Sequence, residues 1–234
     1  MAYENLSSIQ PGSSLADSAY AQLSEGILRN ELPPGTSLSV PELSRRLGIS
    51  RSPVREAVQR LLYDGLADYR GRSGTVVSSI DASDFVALLE VREVLEGLAA
   101  SLAAQRATTA ELSRLEEHAD QFRSLGTDDE VAESGFVVLD MSFHQLIREM
   151  ARNDELGVLL GRTEARAHLS MHSLWSGVRH VEATQTEHTN ICSAILSRDP
   201  SRADAAARDH IGGLRNRALA AIAEHDRQGD GELR

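Results

Sequence analysis

Pro41-Glu42-Leu43-Ser44-Arg45-Arg46-Leu47-Gly48-Ile49-Ser50-Arg51-Ser52-Pro53-Val54-Arg55-Glu56-Ala57 reads as two short helices around a tight turn. Pro41 is tolerated in a first helical turn, where the N–H it lacks has no partner. Leu43 and Leu47 follow four residues apart, and Gly48, without a Cβ, suits the turn that ends the helix. Ser50 or Ser52 can cap the next helix, which carries Pro53 in its first turn. Val54, Ala57, Val58, Leu61 and Leu62 form its buried stripe, and Asp64-Gly65 stops it. Arg51, Arg55 and Gln59 are spaced four apart, so the register that buries the stripe turns all three outward on one face.

Working outward, Leu15 to Arg29 is helical, with Ala16, Tyr20, Leu23, Ile27 and Leu28 at helical spacing, and Pro33-Pro34-Gly35 ends it. Downstream, Leu66-Ala67-Asp68-Tyr69 and Thr75-Val76-Val77 are extended segments around the turn Arg70-Gly71-Arg72-Ser73-Gly74. Helix, turn, helix and Arg-rich hairpin are the parts of a winged helix-turn-helix, whose second motif helix enters the major groove. An arginine fork matches guanine or a pair of phosphate oxygens, and Gln matches adenine. Gly74 lets the wing backbone approach a phosphate or the minor-groove floor. An isolated Arg-rich face is an ordinary solvated surface; here it follows a capped turn and precedes an Arg-Gly hairpin, and that order supports DNA.

The 234-residue chain is 41% hydrophobic and 25% charged, the composition of a globular protein of one large domain or two ordinary ones. No run nears the ~18 apolar residues of a membrane span. MAYENLSSIQPGSS carries neither basic leader nor apolar signal core, so the expectation is a cytoplasmic protein with no membrane partner. The single cysteine, Cys192, lies in an apolar run and reads as a buried structural thiol; an internal disulfide and a thiolate metal site are both excluded. All 24 basic residues are arginine, which removes Schiff-base lysines and the lysine of a phosphate-binding loop. The net charge of −11 is uneven: Pro41 to Thr75 holds seven Arg against four Asp or Glu, a local +3 on a body of −14. A small basic module on an acidic body fits local contact with nucleic acid.

From Asp81 the pattern changes to about six helices, with starts marked by Asp81 or Ser83, by Thr108 with Glu111 three later, and by Asp199 before Pro200. The expected organisation is a flexible 1–12, a winged helix-turn-helix over 13–78, an all-α antiparallel helical bundle over 81–226 and a flexible tail over 227–234. Within the bundle, two pairs have chelating i, i+4 spacing: Asp140 with His144, and His168 with His172. His188 and His210 lie on later helices, each with apolar neighbours at helical spacing, so either pair can meet them inside a bundle. A lone His is more often hydrogen-bonded or exposed than a ligand, and spacing by itself leaves the two pairs level.

The stretch Pro41 to Ala57, with Leu61 and Asp64-Gly65-Leu66, resembles the winged-helix signature of GntR-family bacterial transcription regulators. The resemblance implies that Arg51 and Arg55 contact DNA, that Ser50 assists from the helix start, that Arg45 or Arg46 supports from the preceding helix, and that Gly74 marks the wing tip. One departure is Val40-Pro41, where some members place a charged DNA-contacting residue. Residues 81–226 resemble the helical effector domain of the FadR-type branch, the FCD domain. Its metal-binding members carry an Asp-x-x-x-His pair, a Glu-His before an Ile-x-x-Ala-Ile run, and a His in the last long helix. Asp140, His144, His188 and His210 match these in order, leaving His168 and His172 as pocket lining or structural residues. Asn153 after Arg152 also fits the family's habit of ending that helix with Asn.

Three imidazoles and a carboxylate suit a divalent transition metal, with zinc the leading candidate and nickel, iron or manganese also accommodated. The resemblance further implies a carboxylate-bearing effector at an open metal position. Arg92 is the candidate partner for that organic acid, although it also stands four residues before Glu96, the spacing of a surface helical pair. The reading is a homodimeric regulator, a repressor of operator DNA that a metabolite controls. Its rivals are a metal-dependent hydrolase, for which no general base is identifiable, and a pure metal sensor.

Overall fold

The computed structural model describes residues 14–124, 130–174 and 181–229. Contacts divide the chain into Met1–Ser78 and Ser79–Arg234. The first unit contains α1 (Leu15–Leu28), α2 (Val40–Leu47), α3 (Arg51–Tyr63), β1 (Ala67–Tyr69) and β2 (Thr75–Val77). Apolar residues at helical spacing join α1 to α3 through Ala16, Ala19, Leu23 and Ile27 on one side and Val54, Ala57, Val58 and Leu61 on the other, all buried. The packed pair is braced at its edge. Tyr20 donates to Asp64 at 2.6 Å, Arg60 pairs with Asp17 at 2.6 Å, and the Arg60 guanidinium lies 4.2 Å from the centre of the Tyr20 ring.

Gly48 closes α2 with φ 67°, a left-handed conformation that costs any residue with a Cβ. Ser50 occupies the N-cap of α3 in extended conformation, but its side chain makes no capping bond. Pro53 at the third helical position has no N–H, which removes one of the two donors such a cap uses. β1 and β2 pair antiparallel with Ala67 opposite Val77 and Tyr69 opposite Thr75, joined by a 3₁₀ turn at Gly71–Ser73. Residues 35–38, unassigned by sequence pattern, run along the other side of β2: Leu38 N–H donates to Thr75 at 2.8 Å, and Val77 N–H to Thr36 at 2.8 Å. The wing is thereby tied to the chain that leads into α2.

The second unit is entirely helical in its described residues: α4 (Ala82–Arg106), α5 (Thr109–Ser124), α6 (Glu130–Ala151), α7 (Asp154–Leu174), α8 (Val181–Leu196) and α9 (Pro200–Gly229). Asp81 caps α4 by accepting from Asp84 N–H at 2.8 Å. Thr108 and Glu111 form a reciprocal capping box, and Asp199 accepts from Arg202 N–H at 3.0 Å. Asn153 does not end α6; Arg152 does, with φ 45°, and Asn153 Oδ1 instead accepts from Leu156 N–H at the start of α7. α9 remains helical to Gly229, beyond the expected boundary at residue 226. The buried face of α4 runs from Phe85, Leu88 and Leu89 through Arg92 and Glu96 to Ala99, Ala100, Ala103 and Ala104. Its small residues let α6, α8 and α9 approach closely, making α4 the central helix of the bundle.

Candidate metal centre and DNA-reading face

Three histidines meet inside the bundle because each falls on the apolar stripe of its own helix. His144 lies between Phe143, Leu146 and Ile147 on α6, His188 precedes Ile191 and Ile195 on α8, and His210 adjoins Ala207 and Ile211 on α9, all buried. One ring nitrogen from each lies within 4.8 Å of those of the other two. Asp140, one turn before His144, is half-buried, with Oδ1 3.5 Å from His188 Nε2. Two donors each about 2.1 Å from a tetrahedral cation stand roughly 3.4 Å apart, so this spacing fits shared ligation. The side chains of His168 and His172 lie outside the described residues. His118 is turned to Ser142, with Nε2 2.7 Å from its hydroxyl.

His188 is 2% exposed and stacked on Phe143 at 4.0 Å, and among the described residues neither of its ring nitrogens has a hydrogen-bond partner. Buried polar groups are ordinarily paired, so an imidazole orphaned at both nitrogens is suited to ligate a cation. Burial, reinforced by the neighbouring histidines, holds its pKa well below the usual imidazole value, which keeps it in the neutral, ligating form. Burial likewise lowers His210, against the opposing pull of Glu187. At His144, burial also disfavours the charged form, but the Glu96 carboxylate outweighs it and the pKa is raised.

Two carboxylates that the sequence pattern does not assign to the site, Glu96 and Glu187, complete the surroundings. Glu96 Oε2 is 3.3 Å from His144 Nδ1, and Glu187 Oε2 is 2.8 Å from His210 Nδ1. Burial disfavours ionisation of Glu187, but His210 and Arg217 outweigh it and bring the carboxyl to about 2. Arg92 pairs with Glu96 at 2.8 Å as its spacing allows, but not on the surface: the two side chains are 5% and 3% exposed. The reason is register, since both fall on the buried face of α4. Arg92 Nε has no hydrogen-bond partner among the described residues. Arg92 lines a cavity of about 50 Å³ with Asp140, His144, His210, Thr184 and Arg217, closed by Phe85, Phe136, Ala167 and Leu214. Buried Glu164 pairs with Arg148 at 2.7 Å.

In the first unit, Arg51, Arg55 and Gln59 are exposed along α3, opposite the buried Val54, Val58 and Leu61. Among the described residues neither arginine has an ion-pair partner. Arg45 and Arg46 are exposed and both held by Glu42, Arg46 at 2.7 Å. Gly74 adopts φ 73°, ψ −148°, a conformation confined to glycine, with open space around it. Cys192 is buried, and burial pushes its thiol up to about 12, an inert group.

A winged helix-turn-helix with an arginine-bearing helix, followed in the same chain by a helical domain, defines a DNA-binding regulatory protein. The model of the gntR family of bacterial regulatory proteins matches residues 15–77, and that of the FCD domain matches residues 87–213. The chain therefore belongs to the GntR family and carries an FCD domain; it is a transcriptional regulator and not an enzyme, which sets the hydrolase alternative aside. It is similar to the probable D-xylose utilization operon transcriptional repressor of Paenarthrobacter nicotinovorans, 30% identical over an alignment of 197 residues that covers 79% of this chain and 80% of that one. It is also similar to the HTH-type transcriptional regulator YdhC of Bacillus subtilis strain 168, 28% identical over 82% of this chain and 84% of that one. Among solved structures, E. coli McbR/YncC shares the fold, with a TM-score of 0.76 over 89% of this chain and 99% of that chain at 18% identity. No helix among the described residues is long and apolar enough to cross a membrane.

Proposed function

We propose that the protein is a cytoplasmic, homodimeric repressor whose affinity for operator DNA is set by a small carboxylate bound beside a metal ion in the bundle. The observation that carries the metal is His188, buried with both ring nitrogens unpaired among His144, His210 and Asp140. These four residues hold a divalent transition cation, zinc being the first choice for a set of three imidazoles and a carboxylate. Such a cation supplies a positive charge that an anionic ligand can complete.

The chain's own residues prepare the cavity for that anion. Arg92 gives one guanidinium nitrogen to Glu96 and keeps Nε unpartnered on the cavity wall, which supports its role as the effector's partner. The cavity is small, about 50 Å³, which suits a compact acid. Thr184 adds a hydroxyl for its polar end, and Phe85, Phe136 and Leu214 exclude water around it.

Arg51 and Arg55 read bases from α3, Gln59 extends the same face, Ser50 and the Arg45/Arg46 pair contact phosphate, and Gly74 brings the wing backbone to the groove. Exposed Val91, Val94 and Leu98 along α4 support a second copy as partner. A two-fold dimer then requires two half-sites. Relatives named as repressors support the direction of control, and release from the operator is the proposed response to the effector. The test is selection of a binding site from randomised DNA with the metal-loaded protein, followed by titration with small organic acids. A two-fold symmetric site from which one compact acid releases the protein is expected. Binding without symmetry, or indifference to every acid, refutes this reading. A pure metal sensor would instead respond to the metal alone.

A further inference from the structure

Around the three histidines the bundle repeats one arrangement twice. In the first, Arg92 donates from Nη2 to Glu96 Oε1 at 2.8 Å, and Glu96 Oε2 faces His144 Nδ1 at 3.3 Å. In the second, Arg217 grips Glu187 with two nitrogens, at 2.7 and 3.1 Å, and Glu187 Oε2 faces His210 Nδ1 at 2.8 Å. The first uses α4 and α6, the second α8 and α9, and both arginines line the same cavity. We propose that Glu96 and Glu187 are positioning residues of the metal centre, each fixing one ligand histidine and each held from behind by an arginine. The inference rests on the metal site proposed above.

The chemistry follows from what each group can donate. An ionised carboxylate only accepts, so each glutamate places the proton of its histidine on Nδ1 and leaves the Nε2 lone pair for a cation. It also fixes the ring plane, which a single-bonded imidazole in a bundle core would otherwise be free to turn. The arginines prevent the glutamates from swinging onto the cation themselves, because each carboxylate has an oxygen committed elsewhere. A purely structural role is a poor account of this arrangement. Glu96 is 2% exposed, and a buried ion pair is commonly no more stabilising than apolar residues of the same volume. A simple link between α8 and α9 would need only Arg217 and Glu187, without the histidine. Gly213 reinforces the point: a Cβ there would stand 2.8 Å from Glu187 Oε1 and 3.1 Å from Arg217 Nη1, so the chain leaves room where the clamp sits.

Zinc affinity of the full-length protein, measured by competition with a chromophoric chelator, tests the proposal together with the visible spectrum of the cobalt-loaded protein. Glu187→Ala should lower zinc affinity by about 10- to 100-fold, Glu187→Gln, which retains an acceptor, by less, and both should shift the cobalt bands. Gly213→Ala, which keeps every member of the arrangement but crowds the clamp, should weaken binding as well. Glu96→Gln should behave like Glu187→Gln; since it leaves Arg92 buried without its anion and threatens folding, partly exposed Glu187 carries the decision. Melting of the metal-free variants confirms that they are folded. If both Glu187 variants bind zinc as tightly as wild type with unchanged cobalt spectra, the positioning role is overturned while the metal site stands. If wild type itself takes up neither ion, the metal-site reading falls and this inference with it.

Discussion

His188 lies against Phe143, stacked at 4.0 Å, and Phe122, tilted at 4.8 Å; Asp140 stands 3.5 Å from its Nε2, but among the described residues no carboxylate faces its Nδ1 as Glu96 and Glu187 face those of His144 and His210. Its folded pKa is depressed by burial, so on acidification the unfolded chain takes up its proton first. This contribution to stability is present above the ordinary imidazole value of 6.5 and is lost as pH falls below it. For metal-free protein, the loss of stability between about pH 7.5 and about pH 5.5 should therefore be smaller in His188→Leu than in wild type, as urea unfolding at the two values will show. His144 has the opposite sign, since its raised pKa makes its contribution strongest on the acid side; substituting it should not flatten the profile. Metal content should follow the ligands: His188→Ala and His210→Ala lose the ion on dialysis, while His118→Ala, whose ring faces Ser142, retains it.

At the scale of the elements, α3 divides its labour by face. Val54, Ala57, Val58 and Leu61 fix its position against α1, and Arg51 and Arg55 are left to solvent on the opposite side. Arg51→Ala and Arg55→Ala should each cost on the order of 1 to 3 kcal/mol of operator binding in a gel-shift titration, with chain stability unaffected. Operator affinity equal to wild type in both would remove α3 from the groove. The turn before α3 makes a different demand. Gly48 has φ 67° with nothing within 4 Å of an added Cβ, so Gly48→Ala meets backbone strain and no clash. Its cost should be about 1 to 2 kcal/mol in unfolding free energy. Leu43 is the one buried residue of α2, so little packing is available to absorb it.

For the whole molecule, regulation requires that the effector bind the operator-competent and operator-incompetent states with different affinity, because a ligand shifts an equilibrium only by that difference. In sequence, β2 of the wing ends at Val77 and α4, which carries Arg92 and Glu96, begins at Ala82. Once an effector acid is identified, its influence on operator affinity should be strong in wild type and largely lost in Arg92→Ala and His144→Ala. An equal effect in all three proteins would place the control elsewhere. Operator binding should also weaken steeply with added salt, as counterions return to the phosphates that the arginines neutralise.

Much of this was legible in the chain. The helix-turn-helix register, the hairpin and the caps at Asp81, Thr108 and Asp199 all follow from local rules, because apolar spacing, turn chemistry and cap residues act within a few positions; spacing alone leaves the two i, i+4 pairs level, and only the family resemblance singles out His144 with His188 and His210. The pairing of residues 35–38 with β2 was not legible, because a strand edge is satisfied by a neighbour that only the folded chain supplies. Arg92 and Glu96 show the same limit more sharply. They occupy the progression Phe85, Leu89, Arg92, Glu96, Ala99 and Ala103, yet Val91, Val94 and Leu98 make the other side of α4 apolar too. With no polar face to mark the outside, periodicity could not say which side was buried, and the pair was open to reading as a surface ion pair. Glu187 likewise reads as an ordinary polar neighbour of His188, and only the approach of α9 sets His210 and Arg217 against it. Sequence determined which residue types each helix brings to its faces; the tertiary structure alone decided which of those faces meet, because a buried charge is tolerated only where another element delivers its partner.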